Sequence, residues 1–426
     1  MIFLTNKVKD KNILIVVNSD TGGAGTTIYR MFKGMKQLGY NVKLLVNNKY
    51  HDESDILTLT TEISILYRIK RYFKKNKYLF TKKLKTDINY YFFNTNEKWS
   101  TYSAKTINGQ INFIPDVIIG TWISGFVNYE VIGKLAKSYN ARPYILMNDM
   151  AHLTGGCHYN WGCNGYLENC DNCPAIVEHQ FKNIAKINLR DKNESIKKHK
   201  IKLIAGSDQT KKNAQKSILY RTQKDIYIYH GLIDFDIFNS SKREFAKAVF
   251  QINNFSKVIF CGALDFNEKR KGYKELKQVL YAFSRTKTAE NQDFQILIAG
   301  NLPDDLKDIK LNFKAIPFIK DPILLSLAYQ ASDLFLSTSI EDCGPMMVAE
   351  ALSCGTPVIG FDIGLVSSLI NDGYNGYKIN CFDLTEMAVK VEEILSLEQF
   401  SLADNCIESV KEKYSLKSLD NLTSVL

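Results

Sequence analysis

The fold of this chain is decided by residues 341–358, EDCGPMMVAEALSCGTPV, which follow the apolar run Leu334–Ser337. The order of residue types predicts a buried strand, an acidic loop, a short apolar helix and a second strand. Gly355 fits a left-handed helix C-cap, and Pro357 stops the helix. The stretch is therefore typical of a parallel α/β sheet, with acidic side chains at the carboxyl end of a strand.

Similar short apolar runs, bounded by Gly, Asp, Asn or Ser, recur along the chain and predict buried parallel strands. The first series is Ile13–Val17, Val42–Val46, Val117–Ile119, Tyr144–Met147 and Leu203–Ala205. The second series is Val258–Cys261, Gln295–Ala299, Leu334–Ser337, Pro357–Gly360 and Gly376–Ile379. Two series predict two Rossmann-like, doubly wound domains. We expect them at 1–238 and 239–405, with a cysteine-rich insertion at 152–174 and a helical segment at 406–426 that packs back on the first domain.

The composition excludes several classes of protein. The 426 residues carry a net charge of +10, and 45% are hydrophobic and 23% charged, which are ordinary globular values and exclude a disordered or fibrous chain. Apolar stretches fall short of the roughly 20 residues that a membrane-spanning helix needs. The first apolar run is strand-sized and lacks a signal-peptide cleavage site. We therefore expect a cytoplasmic protein whose nine cysteines are reduced or metal-bound.

Residues 341–358 resemble the donor-site signature of glycosyltransferase family 4. The resemblance implies the GT-B fold, in which two Rossmann-like domains face each other across a cleft, and retaining sugar transfer without a catalytic metal. The signature has two acids separated by seven residues, and Asp342 and Glu350 have that spacing, with Glu341 one position earlier. It implies that Asp342 or Glu341 contacts the donor sugar, that Glu350 binds the ribose, and that the donor also contacts the residues at the start of the helix, Gly344, Pro345 and Met346. The alternatives are capping of the helix dipole for Glu341 and Asp342 and a solvated helix face for Glu350.

Two further motifs agree with this resemblance. The basic run Lys269-Arg270-Lys271 looks like the loop that binds the donor diphosphate, where fixed cations stabilise the charge of the leaving group. The family often has arginine where this chain has Ala263, and Arg270 is the candidate replacement. Gly22 and Gly23, in a turn after the first strand, would shape the cleft from the other domain. The alternatives are a solvated basic turn and a tight strand–helix turn without a ligand.

Four cysteines fall within a short segment that ends in a Cys-x-x-Cys pair: Cys157, Cys163, Cys170 and Cys173. In a reducing compartment this pattern indicates a structural zinc site, in which His158 could replace one cysteine. Buried free thiols or a redox-labile pair are the alternatives.

The same segment resembles an insertion, with a Thr-Gly-Gly-Cys-His motif, in family 4 enzymes of bacterial surface-polysaccharide synthesis. Histidines that those enzymes have near Thr121–Ile123 and at Asn148 are missing here. We therefore expect the acceptor-side chemistry to depend on Asp149, on His152 or His158, or on the donor phosphate itself. A structural role for His152 is the alternative.

Residues 66–85 contain many lysines and arginines and no acid, with apolar residues at helical spacing. A basic amphipathic helix can lie on an anionic membrane surface, which would suit a lipid-linked acceptor. A solvated helix is the alternative, and nucleic acid is an unlikely partner because no nucleic-acid module accompanies the stretch.

Together these patterns predict a glycosyltransferase that uses a nucleotide-diphosphate sugar and a glycan or lipid-linked acceptor in surface-polysaccharide synthesis, with no cofactor for catalysis. It would be cytoplasmic, or peripheral on the inner face of the plasma membrane. The alternatives are a nucleotide-sugar epimerase or hydrolase and a non-catalytic carbohydrate-binding relative.

Overall fold

A computed structural model describes residues 9–60, 84–262, 266–291, 293–300, 303–317, 319–344, 346–398 and 400–426. The chain divides into two compact units. The first unit is Met1–Leu232 with Leu416–Leu426, and the second is Ile233–Ser415. The sequence predicts the joint after residue 238 and the start of the returning segment at 406, whereas the contacts divide the chain at 232 and 415.

Each unit is built on one parallel sheet. The first sheet consists of β1 (Lys9–Ser19), β2 (Tyr40–Asn48), β3 (Ile56–Leu57), β4 (Val117–Gly120), β5 (Arg142–Met147), β6 (Lys202–Ala205) and β7 (Tyr227–Ile228). The second consists of β8 (Lys257–Gly262), β9 (Phe294–Ala299), β10 (Asn312–Ile316), β11 (Leu334–Ser337), β12 (Val358–Phe361) and β13 (Gly376–Ile379). The strand orders are β3-β2-β1-β4-β5-β6-β7 and β10-β9-β8-β11-β12-β13. Both sheets therefore contain the Rossmann order, in which the direction of winding reverses between the first and fourth strands.

Helices connect the strands. They are α1 (Gly22–Gln37), α2 (Ala104–Gln110), α3 (Tyr129–Tyr139), α4 (Asn183–His199), α5 (Asp208–Lys216), α6 (Arg243–Val249), α7 (Tyr273–Phe283), α8 (Lys287–Asn291), α9 (Pro322–Gln330), α10 (Met346–Ser353), α11 (Gly364–Leu369), α12 (Leu384–Ser396), α13 (Ala403–Lys411) and α14 (Leu416–Val425). The central strands are apolar throughout because helices cover both faces of each sheet; in β1, for example, Ile13–Val17 is fully buried.

The last helix, α14, belongs to the first unit although it follows the whole of the second. Leu419 and Leu422 lie in the first unit's core together with Met35 of α1. Tyr40 Oη donates a 2.8 Å hydrogen bond to the Asp420 carboxylate, which also pairs with Lys9. Apolar burial and a charged contact together hold the helix on this unit.

Within the described ranges, no helix is both long and apolar enough to cross a membrane. The basic stretch 66–85, apart from its last two residues, lies outside the described residues.

Candidate functional site

The basic turn and the acidic loop lie side by side at the carboxyl ends of β8 and β11, where the winding of the second sheet reverses. Lys269–Lys271 form a 3-10 turn that ends at Gly272, whose φ is +65°. A Cβ on Gly272 would stand 1.7 Å from the carbonyl oxygen of Thr338, so only glycine allows the two loops to approach this closely. The amide of Ile340 donates a 2.8 Å hydrogen bond to the carbonyl of Arg270 and joins the loops further.

Asp342 is the centre of a charged cluster that these loops create. Its carboxylate lies 2.9 Å from Lys271 Nζ and 3.1 Å from Arg270 Nη1, and it accepts a 3.1 Å hydrogen bond from the amide of Gly344. Arg270 also pairs with Glu268 at 2.5 Å. Burial alone would raise the pKa of Asp342, but the charges of Lys271 and Arg270 outweigh it and hold the pKa below 3.8. Asp342 is therefore ionised at neutral pH.

The solvated-turn alternative for the basic run is wrong for two of its members. The side chains of Arg270 and Lys271 are only 14% and 18% exposed and point to Asp342, whereas Lys269 is exposed. The cluster has two positive groups and one carboxylate at its centre, with Glu268 at its margin. Such an arrangement can bind a further anion once that anion competes with Asp342 for the two cations.

Glu350 lies on α10, one turn after the helix begins, and its side chain is buried. The residue is 4% exposed, which excludes the solvated helix face as its role. The hydroxyl of Tyr329 on α9 donates a 3.4 Å hydrogen bond to its carboxylate. Met346 begins the helix and packs against the core, and Pro345 lies outside the described residues.

In the first unit, Gly22 and Gly23 begin α1 directly after β1, and both are exposed. Sequence reasoning missed the neighbouring Asp20. Its fully buried carboxylate accepts hydrogen bonds of 3.0 Å from the amide of Tyr50 and 2.9 Å from the amide of His51. Asp20 therefore holds the loop after β2 beside the glycine turn.

Asp149 and His158 form a close pair at the carboxyl end of β5. Asp149 accepts a 2.8 Å hydrogen bond from the amide of Ala151 and lies 2.7 Å from His158 Nδ1. Burial would raise the pKa of Asp149, but the His158 charge and hydrogen bond outweigh it and lower the pKa. Because protein groups already occupy both of its oxygens, Asp149 orients His158. The imidazole of His158 is itself buried, and its Nε2 has no hydrogen-bond partner among the described residues.

His152 is buried and has a structural role. It is 3% exposed, and its Nδ1 lies 2.8 Å from the hydroxyl of Tyr129. Burial lowers the pKa of His152 to about 3, so the ring is neutral. Of the two histidines in this segment, the structure therefore assigns the buried structural role to His152.

The four cysteines line one small cavity of about 20 Å³ and form no disulfide. Burial raises the pKa of Cys157 and raises that of Cys170 to about 11, so these two sulfurs favour the neutral thiol. Across the described part of the chain, no group of three or more His, Cys, Asp or Glu side chains is arranged to hold a metal ion. The side chains as they stand do not fit a zinc centre, and zinc binding stays a prediction of the sequence.

Comparison with known proteins agrees with this geometry. Residues 243–413, which contain the charged cluster and Glu350, match the family described as Glycosyl transferases group 1. N-acetyl-alpha-D-glucosaminyl L-malate synthase of Bacillus anthracis is 24% identical over 214 residues, which are 46% of this chain and 51% of that protein. The match therefore spans about half the length of that curated relative.

Solved structures match over nearly the whole chain. Sucrose-phosphate synthase from Thermosynechococcus elongatus has a TM-score of 0.65 at 12% identity, with 97% of each chain covered. A glycosyltransferase involved in lipopolysaccharide biosynthesis has a TM-score of 0.60 at 14% identity, with 96% of this chain and 99% of that chain covered. The prediction of two Rossmann-like domains in the GT-B fold is confirmed.

Proposed function

We propose that this chain is a glycosyltransferase that moves a sugar from a nucleotide-diphosphate sugar to a saccharide or lipid-linked acceptor. One observation carries the proposal. Lys271 and Arg270 converge on Asp342 at the point where the second sheet reverses its winding, inside the segment that matches the group 1 family. Parallel α/β sheets bind their ligands at this point.

The cluster suits a diphosphate leaving group. When the bond between the sugar and the phosphate breaks, negative charge grows on the phosphate, and cations already in place stabilise it without reorganising. Lys271 and Arg270 are held in place by Asp342 and by the glycine-dependent contact between the loops. In this proposal Glu350 binds the ribose and Glu341 or Asp342 contacts the donor sugar, in accordance with the signature.

The finer parts of the proposal rest on the sequence resemblance. They are transfer with retention of the anomeric configuration, no catalytic metal, and a role in surface-polysaccharide synthesis next to a membrane. In that chemistry the bond from the anomeric carbon to the phosphate oxygen breaks, the acceptor oxygen bonds to the same face of that carbon, and the acceptor proton passes to the leaving phosphate.

The first test is nucleotide binding by the purified chain. A thermal-shift panel of UDP, GDP, ADP and CMP should show one nucleoside diphosphate that stabilises the protein. At 100 times the dissociation constant the gain is about 2.7 kcal/mol. Lys271→Ala should weaken that binding by roughly 10- to 100-fold, because a charge-assisted hydrogen bond is lost.

Lys277→Ala is the matched control. Lys277 lies in the same unit and pairs with Asp305 at 2.8 Å on the surface, so its loss should leave nucleotide binding unchanged. Products formed with and without a saccharide acceptor then separate transfer from hydrolysis or epimerisation. Binding of no nucleotide, or equal binding by Lys271→Ala and the wild type, would contradict the donor site.

A further inference from the structure

Arg270 lies between two carboxylates in the charged cluster. Its Nη1 donates a 3.1 Å hydrogen bond to Asp342, and its Nη2 lies 2.5 Å from the carboxylate of Glu268. Lys271 is the second cation and pairs with Asp342 at 2.9 Å. All four side chains are mostly buried, between 13% and 20% exposed. Their two positive and two negative charges cancel, so a further anion has to compete with one of the two carboxylates.

The two carboxylates differ in how firmly they are bound. Asp342 accepts hydrogen bonds from Arg270, from Lys271 and from the amide of Gly344. The Glu268 oxygen closest to Arg270, Oε2, is buried and makes no aligned hydrogen bond among the described residues. A close contact without alignment gains less free energy than an aligned, charge-assisted hydrogen bond. Glu268 is therefore the weaker of the two partners of Arg270.

The backbone around Glu268 is fixed, whereas its side chain can rotate away. The carbonyl of Glu268 accepts a 2.8 Å hydrogen bond from the amide of Lys271 and so begins the basic turn. Its side chain is 20% exposed and has two methylene groups, which allow the carboxylate to turn toward solvent. Two cations and one amide hold Asp342 in place. Displacing Glu268 from Arg270 therefore costs less free energy than displacing Asp342.

An incoming diphosphate can bind the side of Arg270 that Glu268 occupies. A guanidinium group has five N–H donors in one plane, so Arg270 can keep its Nη1 bond to Asp342 while Nη2 binds a phosphate oxygen. The ammonium group of Lys271 has three donors and can likewise bind Asp342 and a phosphate together. Exchange of Glu268 for a phosphate therefore leaves both cations positioned by Asp342.

From these contacts we propose that Glu268 is an exchangeable counter-ion of Arg270 that determines the selectivity of the site for diphosphates. Glu268 neutralises the arginine when no diphosphate is bound and gives it up to the phosphate farther from the nucleoside, while Asp342 stays in place. The inference deepens the proposed function, on which it rests for the identity of the ligand. In transfer the nucleoside diphosphate is a product, so the return of Glu268 to Arg270 favours its release.

The test is isothermal titration of the full chain and its Glu268→Gln variant with UDP, GDP and ADP, with the corresponding monophosphates, and with inorganic pyrophosphate. Glutamine keeps the size of the side chain and removes the competing charge. The variant should bind the preferred nucleoside diphosphate about three- to tenfold more tightly, as expected for removing one competing ion pair. Its affinity for the monophosphate, which lacks the phosphate that reaches Arg270, should stay unchanged.

Glu393→Gln is the matched control. Glu393 lies on α12, a helix of the same unit outside the cluster, and pairs with Lys390 at 2.7 Å. This variant makes the same change in net charge and should bind diphosphates as the wild type does. In an Arg270→Gln background, Glu268→Gln should no longer change the affinity, because the cation for which the carboxylate competes is gone.

Equal or weaker binding of the preferred nucleoside diphosphate by Glu268→Gln would overturn the inference, and so would an equal gain for the monophosphate. If no nucleotide binds the wild type, the proposed function fails, and pyrophosphate then decides the inference. Tighter pyrophosphate binding by Glu268→Gln than by the wild type supports the exchange at Arg270, whereas equal binding or none overturns it. Failure of the exchange and failure of the proposed function are therefore distinguishable.

Discussion

Asp342 forms ion pairs with Lys271 and Arg270, the two cations to which a donor diphosphate would also bind. Its carboxylate lies within 3.1 Å of both Lys271 and Arg270, and these contacts keep its pKa below 3.8. The ion pairs are therefore present at neutral pH and are lost only as the pH falls through that low pKa. Asp342 consequently has two effects: it holds the cations in position, and it competes with a bound phosphate for them.

This double role predicts different effects on binding and on turnover. Asp342→Asn should leave nucleoside diphosphate binding equal or stronger, because a competing charge is removed. It should lower transfer by about tenfold or more, because Lys271 and Arg270 lose the partner that positions them. Isothermal titration with the nucleotide and initial rates of transfer measure the two quantities separately.

Glu341→Gln serves as the comparison for Asp342→Asn, since Glu341 is the neighbouring acid in the same loop. If Asp342→Asn weakens nucleotide binding as strongly as Lys271→Ala does, the carboxylate does not compete with the phosphate, and the interpretation of the cluster is wrong.

At the scale of elements, the contact between the basic turn and the acidic loop depends on Gly272. We expect Gly272→Ala to weaken nucleotide binding by about tenfold or more, since its Cβ would stand 1.7 Å from the carbonyl of Thr338 and displace Lys271. The strained φ of +65° should add a destabilisation of about 1–3 kcal/mol. Nucleotide titration and thermal unfolding measure these effects.

Gly109→Ala is the matched control for that substitution. Gly109 lies in α2, and no atom stands within 4 Å of the Cβ that alanine would add. Alanine should leave binding unchanged and stabilise the helix by about 0.5–1 kcal/mol. Tight nucleotide binding by Gly272→Ala would show that the loops do not need their close approach.

The cysteine-rich segment has little regular secondary structure, but the buried side chain of Lys192 on α4 attaches its first turn to that helix. Lys192 is 2% exposed, and its Nζ donates hydrogen bonds of 2.6 and 2.7 Å to the carbonyls of Ala151 and Thr154. The carboxylate of Glu97 lies 4.0 Å away. Because a buried ammonium is stable only when it is paired and hydrogen-bonded, the turn that begins the segment is tied to one position. This tie also fixes the pair of Asp149 and His158.

At the scale of the whole molecule, both units place polar groups where the winding of their sheets reverses. In the second unit the charged cluster follows β8 and β11. In the first unit Asp20 follows β1 and Thr121 follows β4, the two strands at the reversal, whereas Asp149 follows the next strand, β5. The repeated strand order explains this, because neighbouring strands that wind in opposite directions leave a crevice at their carboxyl ends.

The returning helix α14 makes the stability of the first unit depend on the last residues of the chain. Leu419 is 1% exposed in the core of that unit. Leu419→Ala should lower the unfolding free energy by about 2–5 kcal/mol, and nucleotide binding in the second unit should stay unchanged. The three tryptophans, Trp99, Trp122 and Trp161, all lie in the first unit, so urea unfolding followed by tryptophan fluorescence reports on it.

Val425→Ala is the control on the same helix. Because Val425 is 47% exposed, its truncation should lower the free energy of unfolding by much less than the truncation of Leu419 does. Equal urea midpoints for the wild type and Leu419→Ala would contradict the role of α14 in the first unit.

The sequence alone determined the central strands of both sheets. A parallel strand buried on both faces must be a continuous apolar run, and every such predicted run lies in or overlaps a strand of the structure. The strands that sequence reasoning missed are β3, β7 and β10. They are short or half-buried, so they carry no continuous apolar signal. The acids of the second unit were also visible in the sequence because they closely follow such a run, and the cations were visible as the basic triplet Lys269–Lys271.

Only the tertiary structure decided which of these groups meet. Lys271 and Asp342 come from loops of non-consecutive strands, and their contact depends on the order of strands in the sheet and on the space that Gly272 leaves. Likewise, His158 and Asp149 meet because an irregular segment folds back to the end of β5. Local patterns report burial and turns, whereas side-chain partners depend on how distant segments pack, and this is why only the structure shows that Asp149 is already paired with His158.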